Sequence, residues 1–204
     1  MNLKKLFSVR YWIPNRRSFR ERYNEDRLFN ATFRDEKSLS RQVEKSLEMK
    51  YIRLYRLTQA NQGKACYRLL IRRLKRLSER TGVGLYTNMN IGRGLIIGHI
   101  GTIVINGFTK FGDELMLTHG VTIGRDVRGP RKGTPIIGNR VCIRANATVV
   151  GKITIGDDVL IAPNSFVNFD VPSHSIVVGN PAVVHHRENA TEGHLGYIEV
   201  QAYE

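Results

Sequence analysis

The residues of this 204-residue chain best suited to chemistry are two histidines, His99 and His119. Imidazole is the side chain whose ordinary pKa lets it take up and return a proton near neutral pH. One such ring beside a hydroxyl is a candidate general base, and three converging rings are candidate zinc ligands. A third ligand would have to come from His174, His185, His186 or His194, which all lie in the terminal segment. Cys66 and Cys142 show neither CxxC nor Cys/His metal spacing, so no metal site is expected. A lone histidine on a strand is more often a packing residue than a catalyst, so the reading of these two turns on the elements that hold them.

Those elements are announced by an aliphatic or aromatic residue that returns every six positions: Ile91, Ile97, Ile105, Phe111, Leu117, Ile123, Ile137, Ile143, Val149, Ile155, Ile161 and Val167. Only two steps break the count, one across His99 and one across the stretch from Arg125 to Thr134. A fixed short repeat means that no unit buries its apolar residue alone and each needs stacked neighbours. A small residue often follows the apolar one, as in Ile91-Gly92, Phe111-Gly112, Ile137-Gly138 and Ile155-Gly156, which leaves room at corners. Three hexapeptides make one triangular coil of about eighteen residues, and coils stack at roughly 4.8 Å, the spacing of hydrogen-bonded strands. The fold class is therefore mainly β, a parallel β-helix of hexapeptide repeats. A β-sandwich does not fit, because its strands alternate at period two.

Register then gives the histidines a place. If Ile97, Ile105 and Phe111 begin the three sides of one coil, Leu117 stacks on Ile97 and His119 on His99. Both rings face outward, and their column continues to Ala145 and Pro163, small residues that leave a groove. Two charged imidazoles so close would repel, which favours a neutral base.

Charge divides the chain unevenly. Residues 1–80 hold 22 Lys/Arg against 8 Asp/Glu and residues 81–204 hold 10 against 10, so the whole formal charge of +14 sits on the N-terminal part. Leu39, Val43, Leu47, Leu54 and Leu57 fall roughly on one helical face, and a second helix is expected from Lys64 to Arg80 between Gly63 and Gly82. That helix is amphipathic and strongly basic, suited to peripheral membrane contact through residues 64–80 or to packing against its own copies. No nucleic-acid motif is present, so no nucleic-acid partner is expected. Residues 1–36, with arginine and aromatic residues interleaved around Tyr11-Trp12-Ile13-Pro14, show no periodicity and read as irregular. Arg10 interrupts the first apolar run, leaving neither a signal peptide nor a membrane span, and the expected location is the cytoplasm, peripheral to the inner face of the membrane. The organisation expected is a basic helical extension over 1–82, the β-helix over 83–184 and a tail over 185–204.

The run Ile91-Gly92-Arg93-Gly94-Leu95-Ile96-Ile97-Gly98-His99, with Ile103-Val104 and Gly120-Val121-Thr122-Ile123-Gly124, closely resembles the serine O-acetyltransferase family of hexapeptide enzymes. The ending Val171-Pro172 and Ile176-Val177-Val178-Gly179-Asn180-Pro181-Ala182 resembles the close of the same domain, so the likeness covers about residues 83–184. The resemblance implies a left-handed β-helix, a homotrimer or hexamer with sites between subunits, and acetyl transfer from acetyl-CoA to a hydroxyl. It places His99 on the family's catalytic histidine, a general base. It sets Ala162, Asn164, Gly179 and Pro181 on segments that line the CoA channel, and the loop from Arg125 to Thr134 over the active site. The loop's Arg125, Arg128, Arg131 and Lys132 suit CoA phosphates or an acidic sugar, and equally a solvated turn tip; Arg144 faces a phosphate or solvent. His119 is a candidate for acceptor contact or for simple groove lining.

Three positions depart from the family pattern. A carboxylate that orients the histidine is replaced by Gly84, the acceptor-binding acid before it by Gly98, and a loop histidine associated with the amino-acid carboxylate by Thr134. What then holds the His99 ring is a backbone carbonyl, His119 or a neighbouring chain. Together with the basic helix, these losses point to the polysaccharide branch of the resemblance. The expectation is an acetyl-CoA-dependent O-acetyltransferase acting on a sugar hydroxyl of a bacterial surface polysaccharide, the saccharide lipid-linked or anionic. The alternatives are a serine O-acetyltransferase of cysteine biosynthesis, a γ-type carbonic anhydrase, and a non-catalytic β-helix.

Overall fold

The computed structural model describes residues 15–34 and 38–195, and in it the repeat coils into a three-sided prism of short parallel strands. In the order the chain visits them, the first side carries β2 (Ile96–Ile97), β5 (Leu115–Leu117), β8 (Val141–Ile143), β11 (Val159–Ile161) and β13 (Ser175–Gly179), closed by antiparallel β14 (Ala182–His186). The second carries β1 (Val83–Gly84), β3 (Ile103–Ile105), β6 (Thr122–Gly124), β9 (Thr148–Val150) and β12 (Phe166–Val167). The third carries β4 (Lys110–Phe111), β7 (Ile136–Ile137) and β10 (Thr154–Ile155). Every repeat residue named above is buried in one continuous core except Phe111, which is partly buried against it.

Glycine is required where the third side turns into the first. A Cβ on Gly112 would stand 2.8 Å from the carbonyl oxygen of Gly138, and one on Gly138 would stand 2.8 Å from that of Gly156, so the coils pack there backbone on backbone. The next residue in each coil supplies a side-chain acceptor to the coil before it. The N–H of Arg93 donates to Asp113 Oδ1 at 3.0 Å, that of Asp113 to Asn139 Oδ1 at 2.9 Å, and that of Asn139 to Asp157 Oδ1 at 2.6 Å. Backbone groups at a bend, which no strand partner reaches, are satisfied by this ladder.

Four helices precede the prism: α1 (Arg16–Thr32), α2 (Arg41–Glu44), α3 (Leu47–Ala60) and α4 (Tyr67–Thr81). The expectation of irregular chain up to residue 36 is corrected by α1, capped at its start by the Asn15 side chain. Its buried residues are Tyr23, Asp26, Phe29, Asn30 and Ala31, two of the five polar, so hydrophobic periodicity does not show it. Tyr11 to Pro14 lie outside the described residues. The leucine face expected across residues 39–57 is split between two helices, with Leu39, Val43 and Leu54 packed against the core as expected. Ser46 caps a new helix, its hydroxyl accepting from the N–H of Met49, and the core is met by Met49, Tyr51, Ile52 and Tyr55 while Leu47 stays exposed. The basic helix begins at Tyr67 rather than Lys64 and ends on Gly82 in the left-handed conformation, where a Cβ would stand 3.0 Å from the backbone of Gly101.

Several contacts tie these outer elements to the prism. Asp26 on α1 is 0 % exposed and accepts from Arg56 Nε at 2.7 Å, Arg56 Nη2 at 3.0 Å and the N–H of Leu95 at 2.9 Å. Arg56 on α3 also donates to the carbonyls of Ile91 and Gly92. Burial works against charge on Arg56, and the hydrogen bonds and charge of Asp26 more than offset it, so its pKa is raised. The outer face of the first side bears Ile96, Met116, Cys142 and Leu160, which Phe29 of α1 and Leu195 of the tail cover as a second small core. Buried there, the Cys142 thiol is pushed up to about 12. Asp158 holds the tail: it accepts from the N–H groups of Ala190 and Thr191 and from the Thr191 hydroxyl.

Replacing Asp26 with Ala strands a buried guanidinium and is expected to cost about 3–5 kcal/mol, whereas an apolar pair at both positions costs far less. Urea unfolding of the two variants beside wild type checks this, and a loss below about 1 kcal/mol for the single variant would show the pair to be incidental.

Candidate functional site

Pairing of Ile97 with Leu117, Leu117 with Ile143 and Ile143 with Ile161 sets the edge where the first side turns into the second. One residue further on in each coil, this register aligns Gly98, Thr118, Arg144 and Ala162; the next aligns His99, His119, Ala145 and Pro163. The two imidazoles are exposed, with ring centroids 6.0 Å apart and planes at 61°, edge to face. Among the described residues the His99 ring makes no hydrogen bond, and the His119 ring lies edge-on to it.

The edge turns through residues with positive φ, Gly120 at 74°, Asn146 at 60° and Asn164 at 60°. Asn164 is thus a turn former, its N–H donating to the Ala145 carbonyl at 2.9 Å. Gly179 closes the edge in the hairpin with Pro181, its N–H donating to Ser165 Oγ at 3.0 Å. Arg144 is half-buried and leans back over the first side, Nη1 lying 4.0 Å from Met116 Sδ. His99, His119, Gly98, Arg144, Ala162, Asn164 and Gly179 therefore share one edge, with Pro181 in the turn beside it.

The loop from Arg125 to Thr134 does not join them within one chain. It leaves the corner between the second and third sides as a small hairpin closed by Asp126 and Gly133, whose backbone groups exchange hydrogen bonds of 2.9 and 3.0 Å. Arg131 donates to the carbonyl of Asn168, and Thr134 Oγ1 to that of Phe108 at 3.3 Å, so both are occupied in holding the loop down. Arg125, Arg128 and Lys132 are exposed. A whole side of the prism separates them from His99.

Gly98 is closed over. A Cβ there would meet Met116 Cε and Thr118 Cγ2 at 3.1 Å, so a longer side chain needs those neighbours to yield. Gly84 lies on β1, its Cβ position 3.2 Å from the carbonyl of Ile103. A carboxylate that sequence reasoning missed comes from another element: Glu48, in the first turn of α3, accepts from the N–H of Ile100 at 3.3 Å, one residue beyond His99. Its only sequence signal is its place after the Ser46 cap, which says nothing about a partner 52 residues away.

A family model for the bacterial transferase hexapeptide (six repeats) matches residues 134–168. Fold and repeat together define a left-handed parallel β-helix transferase of the hexapeptide class. The chain is 40% identical over 129 residues to the serine acetyltransferase of Helicobacter pylori, an alignment that takes in 63% of this chain and 75% of that one. It is 37% identical over 107 residues to serine acetyltransferase 4 of Arabidopsis thaliana, covering 52% of this chain and 30% of that one. Among solved structures it superposes on Neisseria gonorrhoeae serine acetyltransferase with a TM-score of 0.68 at 28% identity, over 83% of this chain and 65% of that one. For the soybean serine acetyltransferase apoenzyme the TM-score is 0.69 at 28% identity, over 82% and 69% of the two chains. The chain belongs to the serine acetyltransferase family.

The expectation of a sugar hydroxyl on a surface polysaccharide is overturned by these relatives, which are serine acetyltransferases in both sequence and structure. That expectation rested on three missing side chains, at Gly84, Gly98 and Thr134. Loss of particular contacts does not specify what replaces them, and the 129 aligned residues outweigh three positions.

Replacing Glu48 with Ala frees the Ile100 N–H and is expected to lower kcat roughly fivefold, about the worth of one hydrogen bond. Gln, which keeps an acceptor oxygen, should restore most of it. Steady-state kinetics of both variants decide the point, and a Gln variant as impaired as Ala would assign the effect to charge instead.

Proposed function

We propose that the chain transfers the acetyl group of acetyl-CoA to the hydroxyl of L-serine, with His99 as the general base. Family membership makes it an acetyl-CoA-dependent acetyltransferase. The observation that carries the residue assignment is the exposed His99–His119 pair on one edge of the prism, in a chain 40% identical to a serine acetyltransferase. His99 takes the serine hydroxyl proton as the oxygen attacks the thioester carbonyl. The tetrahedral intermediate then expels the CoA thiolate, which recovers that proton from the imidazolium, leaving O-acetylserine and CoA. An imidazole placed in this way contributes about 10² to 10⁴ in rate.

The site is completed by a second copy of the chain in a homotrimer. Beyond β1, against which α4 packs, the second and third sides and the corner between them carry exposed apolar residues: Val104 at 53%, Phe108 at 76% and Ile136 at 45%. Beside the histidine edge, α4 and the second side enclose an open groove of about 640 Å³ lined by Ile71, Leu74, Leu85, Tyr86 and Val104. Packing copies side to side buries this surface and brings the Arg125–Thr134 loop of one chain over the histidine edge of the next. Its free cations then lie where an acyl donor's phosphates need them.

Release of CoA from acetyl-CoA with L-serine, wild type beside His99→Ala, tests the reaction. Turnover by wild type is expected, with a loss of about 10² to 10⁴ in the variant. No turnover on serine would reject the acceptor, and full activity of the variant would reject the base. Light scattering is expected to give the mass of three chains for wild type, and a smaller, inactive species for the double variant Val104→Asp, Phe108→Asp. An active monomer would remove the shared site.

A further inference from the structure

The proposed acetyl transfer assigns no part to the arginines of α4. At 3.6 residues per turn, Arg68, Arg72, Arg76, Arg80 and Arg73 fan across an arc of about 140°, with Leu69 among them. All five arginines are exposed and Leu69 is 53% exposed. None of the five forms an ion pair among the described residues. The helix's one acid, Glu79, falls within that arc between Arg68 and Arg72, and Lys75 lies at its edge, both bordering the groove. Leu70 and Leu74 hold the opposite face in the protein, so this presentation is imposed by packing.

We propose that this face of α4 is a docking surface for an anionic lipid bilayer, with the five guanidinium groups on headgroup phosphates and Leu69 entering the interface between them. Guanidinium matches phosphate in planar, paired hydrogen bonds, and a convex row of five cations around one aliphatic side chain suits a flat anionic surface. A second copy of α4 is the wrong partner, since it would set like charges against each other. Residues 81–204 carry equal numbers of acidic and basic side chains, with no net negative charge to attract it. No helix among the described residues is long and apolar enough to cross a membrane, so the contact is peripheral.

Sedimentation of the full-length protein with phosphatidylcholine vesicles, with and without phosphatidylglycerol, tests this. Binding is expected only to the anionic vesicles and should weaken as salt is raised. The triple variant Arg72→Glu, Arg73→Glu, Arg76→Glu should bind about a hundredfold more weakly, with oligomeric mass and CoA release unchanged. Leu69→Ser should weaken the binding that survives high salt. Equal binding to neutral vesicles, or an unaffected triple variant, overturns the proposal. So does displacement from vesicles by equimolar single-stranded RNA or heparin, which would mark a general polyanion binder.

Discussion

Every coil of this molecule depends on the one above and the one below. A two- or three-residue strand has no stability alone, and its aliphatic residue has nothing to bury against until another coil lies at hydrogen-bonding distance. Stacking therefore forces register. Once Ile97 lies over Leu117 and Leu117 over Ile143, every other residue of those coils is assigned a level and an edge. The backbone contact at Gly112 and Gly138 and the side-chain ladder through Asp113, Asn139 and Asp157 follow from the same spacing.

The helices and tail act on this prism from outside. They cover the first side, where Ile96, Met116, Cys142 and Leu160 make the outward residues apolar, and meet the second side at β1, while Val104 and Ile136 on the other two sides stay exposed. The Asp26–Arg56 pair fixes α1 and α3 to the carbonyls of Ile91 and Gly92, just ahead of the coil that carries His99. A buried ion pair contributes less to net stability than to specificity, because desolvation offsets much of the attraction. Here it sets where the helical layer sits on the first coil, and hence where Glu48 meets Ile100.

The histidine edge has the exposed imidazoles, the small residues and the tight turns of a groove wall. Hydrogen bonds to His99 from within the described chain are missing, and the cationic loop leaves from a different corner. Both facts are understood if the site lies between chains, which is the arrangement we propose. The C-terminal end of α4 abuts that edge, the N–H of Gly101 donating to the Thr81 carbonyl at 3.1 Å, while its arginine row carries much of the charge asymmetry of the sequence.

The sequence by itself determined the prism, because a period of six has one compact solution and each repeat carries its own signal. It also determined the stacking of His119 on His99, since register in a repeat is arithmetic. Helix α1 was not legible: its buried stripe contains Asp26 and Asn30, and a polar residue reads as buried only when Arg56 or Leu95 is known to lie opposite. Glu48 was hidden for the same reason, and Arg131 and Thr134 could not be known to be engaged by Asn168 and Phe108. Only the tertiary structure decided which groups of that edge and loop are engaged and which are free. Spacing along a chain counts positions, whereas engagement depends on which groups the fold sets against each of them.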